Sequence, residues 1–247
     1  MNKNVFITGG TSGIGKSLIF KFSENKYNIF FTYYKNFREA KLISNYLKKK
    51  SINHSFVKMD LNKIDSINNA FKIFSRKFNK INVFINNATP SIKRSNFLKL
   101  NDKRIKTNFE ELLIGNLLSI KKAANLILKN KSKSTIVNIS SYAAISGGKD
   151  IHLYAASKAA MKTIITALSK DLFKNKIKIF SILPKHINTP TFRRNNNIKT
   201  EKDLVLFKRK KKIKKIKTPE EFADFVYKKI VGGFNTYNNS EIFYYYF

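Results

Sequence analysis

Short apolar runs alternate with longer stretches of helical period along almost the whole of this 247-residue chain. The runs are β-branched or aromatic and nearly continuously apolar, as buried parallel strands are. Because parallel neighbours need crossover connections, the alternation predicts an α/β domain with a doubly wound, seven-stranded parallel sheet and helices on both faces. The predicted strands are NVFITGG, YNIFFTYY, HSFVKMD, INVFINNA, STIVNISS, IKIFSIL and EIFYYYF.

No linker rich in proline, glycine or serine divides the chain, so we expect a single domain over residues 1–247. The segment 184–217 fits neither the strand nor the helix template and has polar RRNNN at its middle. We interpret it as a mobile substrate loop with one short helix.

Composition excludes several classes of protein. There is no cysteine, and three scattered histidines offer no zinc-ligand spacing, so we expect no metal site. No apolar run is long enough to span a bilayer, and the first strand-like run follows the start methionine too closely for a signal segment. These features predict a cytoplasmic protein.

The net charge of +34 would attract nucleic acid, anionic lipid or an acidic protein. Lysine comes together with abundant Asn, Ile, Phe and Tyr, which favours drift toward A- and T-rich codons as the cause. The densest run, FKRKKKIKKIK at 207–217, could bind an anionic partner, but a solvated segment is the preferred interpretation. Nucleic acid is therefore not the expected partner.

A glycine-rich turn joins the first predicted strand to the first helix in VFITGGTSGIGKSL. Gly9, Gly13 and Gly15 let the backbone turn sharply, approach a pyrophosphate and pack the helix close to the sheet. The N-terminus of that helix favours an anion. The turn is not a P-loop, because Lys16-Ser17 stands at the wrong spacing. It predicts a dinucleotide site.

A tyrosine and a lysine lie four positions apart in IHLYAASKAAMKTI, so Tyr154 and Lys158 share one face of a predicted helix. Alone, the pair could be a coincidence of the helix surface. A cation within about 4–6 Å would favour the phenolate and bring the pKa of the tyrosine down from about 10 toward neutrality. General acid/base catalysis needs such a group.

Further motifs follow the glycine turn in a fixed order: MDL at 59–61, NNA at 86–88, Asn116 in a long helix, NISS at 138–141, and Tyr154-x3-Lys158. With Thr-Gly-x3-Gly-Ile-Gly at the first turn, this order resembles the short-chain dehydrogenase/reductase family over essentially the whole chain. The resemblance implies a Rossmann-like fold. It also implies a nicotinamide site built by Gly9, Thr11, Ser12, Gly13, Ile14, Gly15, Tyr33, Lys35, Asp60, Leu61, Asn87, Ala88, Tyr154, Lys158, Pro184, Ile187 and Thr189.

The resemblance also implies the catalytic roles. Tyr154 protonates a ketone oxygen as hydride arrives from the nicotinamide, while Lys158 lowers the pKa of Tyr154 and binds the nicotinamide ribose. Ser141, preferred to Ser140 because it precedes Tyr154 by 13 residues, orients the substrate oxygen. Asn116 supports a water chain that resupplies the proton.

The end of the second strand bears on the choice of cofactor. An acidic residue there would select NAD through the ribose 2′-OH, and a basic one would neutralise the 2′-phosphate of NADP. Lys35 and Arg38 precede the first acid, Glu39. The sequence therefore predicts NADP(H) in preference to NAD(H).

Two replacements depart from the family pattern. Lys185 stands where a glycine usually follows Pro184, and Thr89 replaces the usual glycine after NNA, adding bulk close to the cofactor. The C-terminus also lacks the usual pair of glycines. None of these changes removes an acid/base group.

These motifs predict an NADPH-dependent carbonyl reductase, and the resemblance favours 3-oxoacyl-(acyl-carrier-protein) reduction in fatty-acid synthesis. An acidic acyl carrier protein would then be a partner of the basic surface. A dehydrogenase or reductase acting on a sugar or another small alcohol or ketone is the alternative. A non-catalytic nucleotide- or nucleic-acid-binding protein is the alternative from another class. The resemblance further implies a homotetramer or homodimer built through the two long helices.

Overall fold

The sheet is parallel throughout in the computed structural model, which describes residues 2–90, 94–232 and 242–245. Six strands form its body, and a short seventh pairs with β6 at one edge, giving the order β3-β2-β1-β4-β5-β6-β7. The predicted α/β Rossmann-like parallel sheet is confirmed. The strands are β1 (Asn4–Ile7), β2 (Asn28–Tyr33), β3 (His54–Lys58), β4 (Val83–Asn86), β5 (Ser134–Ile139), β6 (Ile177–Pro184) and β7 (Ile242–Tyr245). Residues 241, 246 and 247 of the last predicted strand lie outside the described residues.

Helices cover both faces of the sheet. In the described part of the chain they are α1 (Gly13–Glu24), α2 (Phe37–Lys49), α3 (Ile64–Lys77), α4 (Asp102–Phe109), α5 (Gly115–Lys129), α6 (Ala143–Ser146), α7 (His152–Phe173), α8 (Pro190–Asn195), α9 (Glu201–Lys210) and α10 (Pro219–Val231). The start of α10 is fixed by its own sequence: Thr218 caps it in a reciprocal capping box, with Pro219 in its first turn.

Successive residues of β1 pack into the hydrophobic cores on opposite faces of the sheet. Val5 and Ile7 pack with α1, α2 and α10 on one face, whereas Phe6 packs with α3, α5 and α7 on the other. Phe6 meets the ring of Phe30 edge to face, with the centroids 4.6 Å apart. Because both faces are covered, side chains on both sides of the strands are buried, which explains the nearly continuous apolar sequences of the central strands.

The segment 184–217 differs from its prediction, because it contains two helices rather than one. Thr189 caps α8 by accepting a hydrogen bond from the Phe192 N–H at 3.0 Å. Thr200 caps α9 in a capping box with Asp203. Local caps and neighbouring hydrogen bonds hold these helices, so hydrophobic periodicity gave little sign of them. The mobility of the segment stays a prediction.

The long helix predicted around Asn116 is not uniform. A π-helical turn over Glu110–Ile114 joins α4 to α5, and α4 was not predicted. α4 buries none of its residues, so it shows no apolar stripe. At the start of α5 a Cβ on Gly115 would lie 2.2 Å from the Leu61 carbonyl oxygen, so the helix approaches the loop after β3 closely.

Candidate active site

A cleft of about 1140 Å³ opens at the carboxyl ends of the strands. Residues that end or follow six strands line it: Tyr33 of β2, Pro184 of β6, and Gly9, Asp60, Asn87 and Ser141 after β1, β3, β4 and β5. In open parallel sheets this edge is where ligands bind.

The structure brings nearly all predicted site residues to this cleft. Two are absent from its lining, Gly15 and Asn116. The predicted residues that line it are Gly9, Thr11, Ser12, Gly13, Ile14, Tyr33, Lys35, Asp60, Leu61, Asn87, Ala88, Ser141, Tyr154, Lys158, Pro184, Ile187 and Thr189.

The glycine turn has the conformation and the closeness that its spacing predicts. Gly9 has φ +69° and Gly13 φ +47°, in the left-handed region that favours glycine. A Cβ on Gly15 would lie 2.1 Å from the Gly9 carbonyl oxygen, so α1 packs too closely against the turn to accept a side chain at this position. Ser12 makes no side-chain cap at the start of α1, so the first-turn N–H groups suit the pyrophosphate of a dinucleotide.

The end of β4 holds the glycine turn in place. The Asn87 side chain donates to the carbonyl oxygens of Thr8 and Gly9 at 2.9 and 3.1 Å. In return the Thr8 hydroxyl accepts from the backbone N–H groups of Asn87 and Ala88 at 3.0 and 2.9 Å. Asn87 therefore has a structural role in addition to its position on the cleft wall.

Positive charge lies beside the cleft after β2. Lys35 lines the cleft and is exposed. Glu39, the first acid after this strand, forms a salt bridge with Lys16 at 2.7 Å. Its carboxylate is thus already paired with a cation.

Ser141 and Tyr154 both line the cleft. Burial raises the pKa of Tyr154, and hydrogen bonding to the Ser141 hydroxyl acts in the opposite direction. The expected lowering of the Tyr154 pKa by Lys158 is therefore wrong for this structure. The Lys158 ammonium lies 5.7 Å from the centre of the Tyr154 ring, and desolvation of the phenol outweighs the hydrogen bond.

Lys158 is almost fully enclosed, with 5% of its surface exposed. Burial lowers its pKa to about 8, so the ammonium form still predominates at neutral pH. The Nζ atom donates to the Thr89 hydroxyl at 3.1 Å and to the Ile139 carbonyl oxygen at 3.2 Å.

Asn116 lies behind the cleft wall, with 2% of its surface exposed. It is the second residue of α5, after the π-helical turn, and donates from Nδ2 to the Leu112 carbonyl oxygen at 3.1 Å. Its Oδ1 is buried and has no hydrogen-bond partner among the described residues. Such an atom suits a buried water, and the predicted role in a water chain stays a prediction.

An aromatic group on the cleft wall was not predicted from the sequence. His186, Phe192 and Phe207 line the cleft, and the ring centroids of His186 and Phe192 are 5.8 Å apart. Burial lowers the pKa of His186, and the charges of Lys185 and Lys211 lower it further. The aromatic residues of 184–217 were the available signal, but only the folding of α8 and α9 brings them to the cleft.

The replacement at Lys185 also contributes to this wall. Its ammonium lies 4.8 Å from the centre of the Tyr142 ring, and both residues line the cleft. Thr89, the other replacement, lines the cleft as well.

Over the described ranges, no group of three or more His, Cys, Asp or Glu side chains could hold a metal ion. No helix in the part of the chain that the structure describes is long and apolar enough to cross a membrane.

The chain resembles proteins of known name. It is 26% identical over 189 residues to the uncharacterized oxidoreductase YhxC of Bacillus subtilis (strain 168), an alignment that spans 76% of this chain and 65% of that protein. It is 25% identical over 196 residues to the 3-oxoacyl-(acyl-carrier-protein) reductase of Bos taurus, over 76% of this chain and 77% of that protein. The crystal structure of YwfH, an NADPH dependent reductase involved in bacilysin biosynthesis, matches with a TM-score of 0.88 at 18% identity, over 100% of this chain and 97% of the other.

Residues 3–200 match the family model described as short chain dehydrogenase. The match includes the glycine turn, Ser141, Tyr154 and Lys158. The chain therefore belongs to the short-chain dehydrogenase family of oxidoreductases.

Proposed function

We propose that the protein is an NADPH-dependent reductase that converts a carbonyl group to a hydroxyl group by hydride transfer. The observation that carries this proposal is that Ser141 and Tyr154 line the same cleft as the buried ammonium of Lys158, which lies 5.7 Å from the centre of the Tyr154 ring. All three line the cleft that begins at the glycine turn.

Each side chain has a distinct task in this reaction, for which a bound nicotinamide would supply the hydride. The Tyr154 hydroxyl is protonated at neutral pH, because its pKa is raised from an ordinary value that already lies near 10, so it can donate a proton to the substrate oxygen. Ser141 orients that oxygen and the phenol. Lys158 holds the nicotinamide ribose and supplies positive charge beside the phenolate that forms.

The preference for NADP(H) is supported by charge. Lys35 lines the cleft, and the salt bridge of Glu39 with Lys16 leaves that carboxylate poorly placed to accept from a ribose 2′-OH. YwfH is described as an NADPH dependent reductase, which agrees with this choice. Asp60, which lines the cleft after β3, would contact the adenine.

Among substrates we propose a 3-oxoacyl thioester on an acyl carrier protein. The name of the Bos taurus relative supports it, and a chain with a net charge of +34 would attract an acidic carrier. A small ketone or a sugar is the second candidate. It is favoured by the wall of His186, Phe192 and Phe207, which offers apolar rings to a compact substrate.

The deciding experiment measures NADPH consumption with a 3-oxoacyl thioester, free and on acyl carrier protein, for the wild type and Tyr154→Phe. Turnover that is lost in the variant while NADPH still binds would support the proposal. NADPH binding without thioester turnover would move the search to small ketones and sugars. No nucleotide binding, together with salt-sensitive binding of nucleic acid, would instead support a non-catalytic binding protein.

We also propose a homotetramer or homodimer built through the two long helices, α5 and α7. Light scattering of the purified protein would give the mass, and a monomer at micromolar concentration would reject this proposal.

A further inference from the structure

The ammonium of Lys158 has three N–H donors and two hydrogen-bond partners in the described structure. One partner, the Ile139 carbonyl oxygen, belongs to the backbone at the end of β5 and is independent of side-chain identity. The other is the hydroxyl of Thr89, 69 residues away in sequence. The third N–H is left for a ligand in the cleft.

A hydroxyl at this position matters because Lys158 is buried. Loss of water destabilises the charged form of a lysine, and each hydrogen-bond acceptor stabilises it. Burial already brings the pKa of Lys158 to about 8. A change in one acceptor would therefore alter the charge of Lys158 at neutral to mildly alkaline pH.

Few other groups act on this ammonium. Tyr154, on the same helix, is the titratable side chain that faces it, and the hydroxyls of Ser140 and Ser141 follow the neighbouring strand β5. The Ser140 hydroxyl is directed at the Lys158 backbone carbonyl at 3.4 Å. No carboxylate of the described residues shifts the pKa of Lys158. Thr89 is thus the side chain that accepts a hydrogen bond from its Nζ.

We propose that Thr89 is a positioning residue that keeps Lys158 charged and aims its remaining N–H into the cleft. The glycine usual at this position could not do so, because it has no hydroxyl. The inference rests on the proposed function, in which the Lys158 ammonium binds the cofactor.

The first test measures NADPH affinity against pH by fluorescence for the wild type, Thr89→Val and Thr89→Ser. Valine keeps the shape of threonine but removes the acceptor, so the pKa of Lys158 falls and its charge is lost at lower pH. We expect the alkaline loss of affinity to begin about one pH unit earlier in Thr89→Val. Thr89→Ser, which keeps the hydroxyl, should follow the wild type.

The matched control is Thr163→Val, which removes a hydroxyl from an exposed position on the same helix as Lys158. That hydroxyl is directed at the Ala159 carbonyl oxygen, and the residue does not line the cleft. Its pH profile should match the wild type. If Thr89→Val does not fold, Thr89→Gly removes the same hydroxyl with the residue that the family usually has.

A second measurement needs no cofactor. Competitive acetylation across a pH series, read by mass spectrometry, gives the pKa of Lys158 itself, and we expect it to be lower in Thr89→Val than in the wild type. An unchanged Lys158 pKa in that variant would overturn the inference. A wild type that does not bind NADPH, with the Lys158 pKa still dependent on Thr89, would reject the proposed function and leave the inference standing.

Discussion

The two ends of the cleft are built from different materials. The end at the glycine turn is made of backbone: Gly9 and Gly13 adopt positive φ, and the uncapped start of α1 presents N–H groups. The other end is made of side chains from distant parts of the chain. Thr89 lies beside Lys158 and Ser141 beside Tyr154, and both Lys158 and Tyr154 belong to α7. The first end depends on steric fit and the second on protonation.

This difference teaches which changes each end can accept. A turn whose backbone atoms are in contact fails when a single methyl group is added, whatever its chemistry. A site made of hydrogen-bonded side chains keeps its shape when one atom is removed but loses the proton transfer. The five predictions below test this contrast.

Tyr154→Phe should give the largest effect and act on the catalytic end alone. Loss of the phenol removes the proton donor, so we expect kcat to fall by about 10²–10⁴-fold while the Kd for NADPH changes little. Steady-state kinetics and a fluorescence titration measure the two quantities. Tyr46→Phe is the control, because Tyr46 packs against Phe20 and does not line the cleft. A Tyr154→Phe variant with normal kcat would break the comparison.

Gly15→Ala should damage the backbone-built end. The added Cβ would lie 2.1 Å from the Gly9 carbonyl oxygen, so the turn must move. We expect a loss of roughly 1–3 kcal/mol in the free energy of unfolding in urea, together with loss of NADPH binding.

Gly147→Ala is its counterpart at the catalytic end. Gly147 lines the cleft with φ +65°, and an added Cβ would meet nothing within 4 Å. Backbone strain alone should cost about 1–2 kcal/mol, and NADPH should still bind. Equal effects of the two alanines on NADPH binding would contradict the assignment of the glycine turn to the phosphates.

Lys35→Glu should change cofactor preference without affecting the chemistry. A carboxylate at this exposed position would repel a 2′-phosphate, so we expect the ratio of kcat/KM for NADPH over NADH to fall roughly tenfold. Lys41→Glu is the control. Lys41 lies in α2, the helix that follows β2, and does not line the cleft, so the variant makes the same charge change outside the site. An unchanged ratio would count against Lys35 as the residue that binds the phosphate.

Thr200→Ala should give the smallest effect, confined to the part of the cleft wall that α8 and α9 form. It removes the cap of α9, which places Phe207 on the cleft wall, and should cost about 1 kcal/mol. Hydrogen exchange should rise in α9 and stay unchanged in α1, whereas Thr200→Ser should behave like the wild type. Faster exchange in both helices would mean that the two ends are not separate.

Much of the architecture could be predicted because it depends on short-range patterns. Buried parallel strands show apolar residues at every position, and the positions of Gly9, Gly13 and Gly15 specify the turn that follows β1. The order of motifs was enough to choose Ser141, Tyr154 and Lys158, and these three line one cleft.

What the sequence by itself determined is therefore the parallel sheet and the glycine turn, since local spacing controls both, whereas the order of motifs only proposed the acid/base side chains. Only the tertiary structure decided the direction of the Tyr154 pKa shift, because burial depends on what packs around the phenol. It also decided that Asn116 lies behind the wall and that α8 and α9 bring Phe192 and Phe207 to the cleft. The contact between Thr89 and Lys158 joins residues 69 positions apart, a distance over which no local pattern carries information.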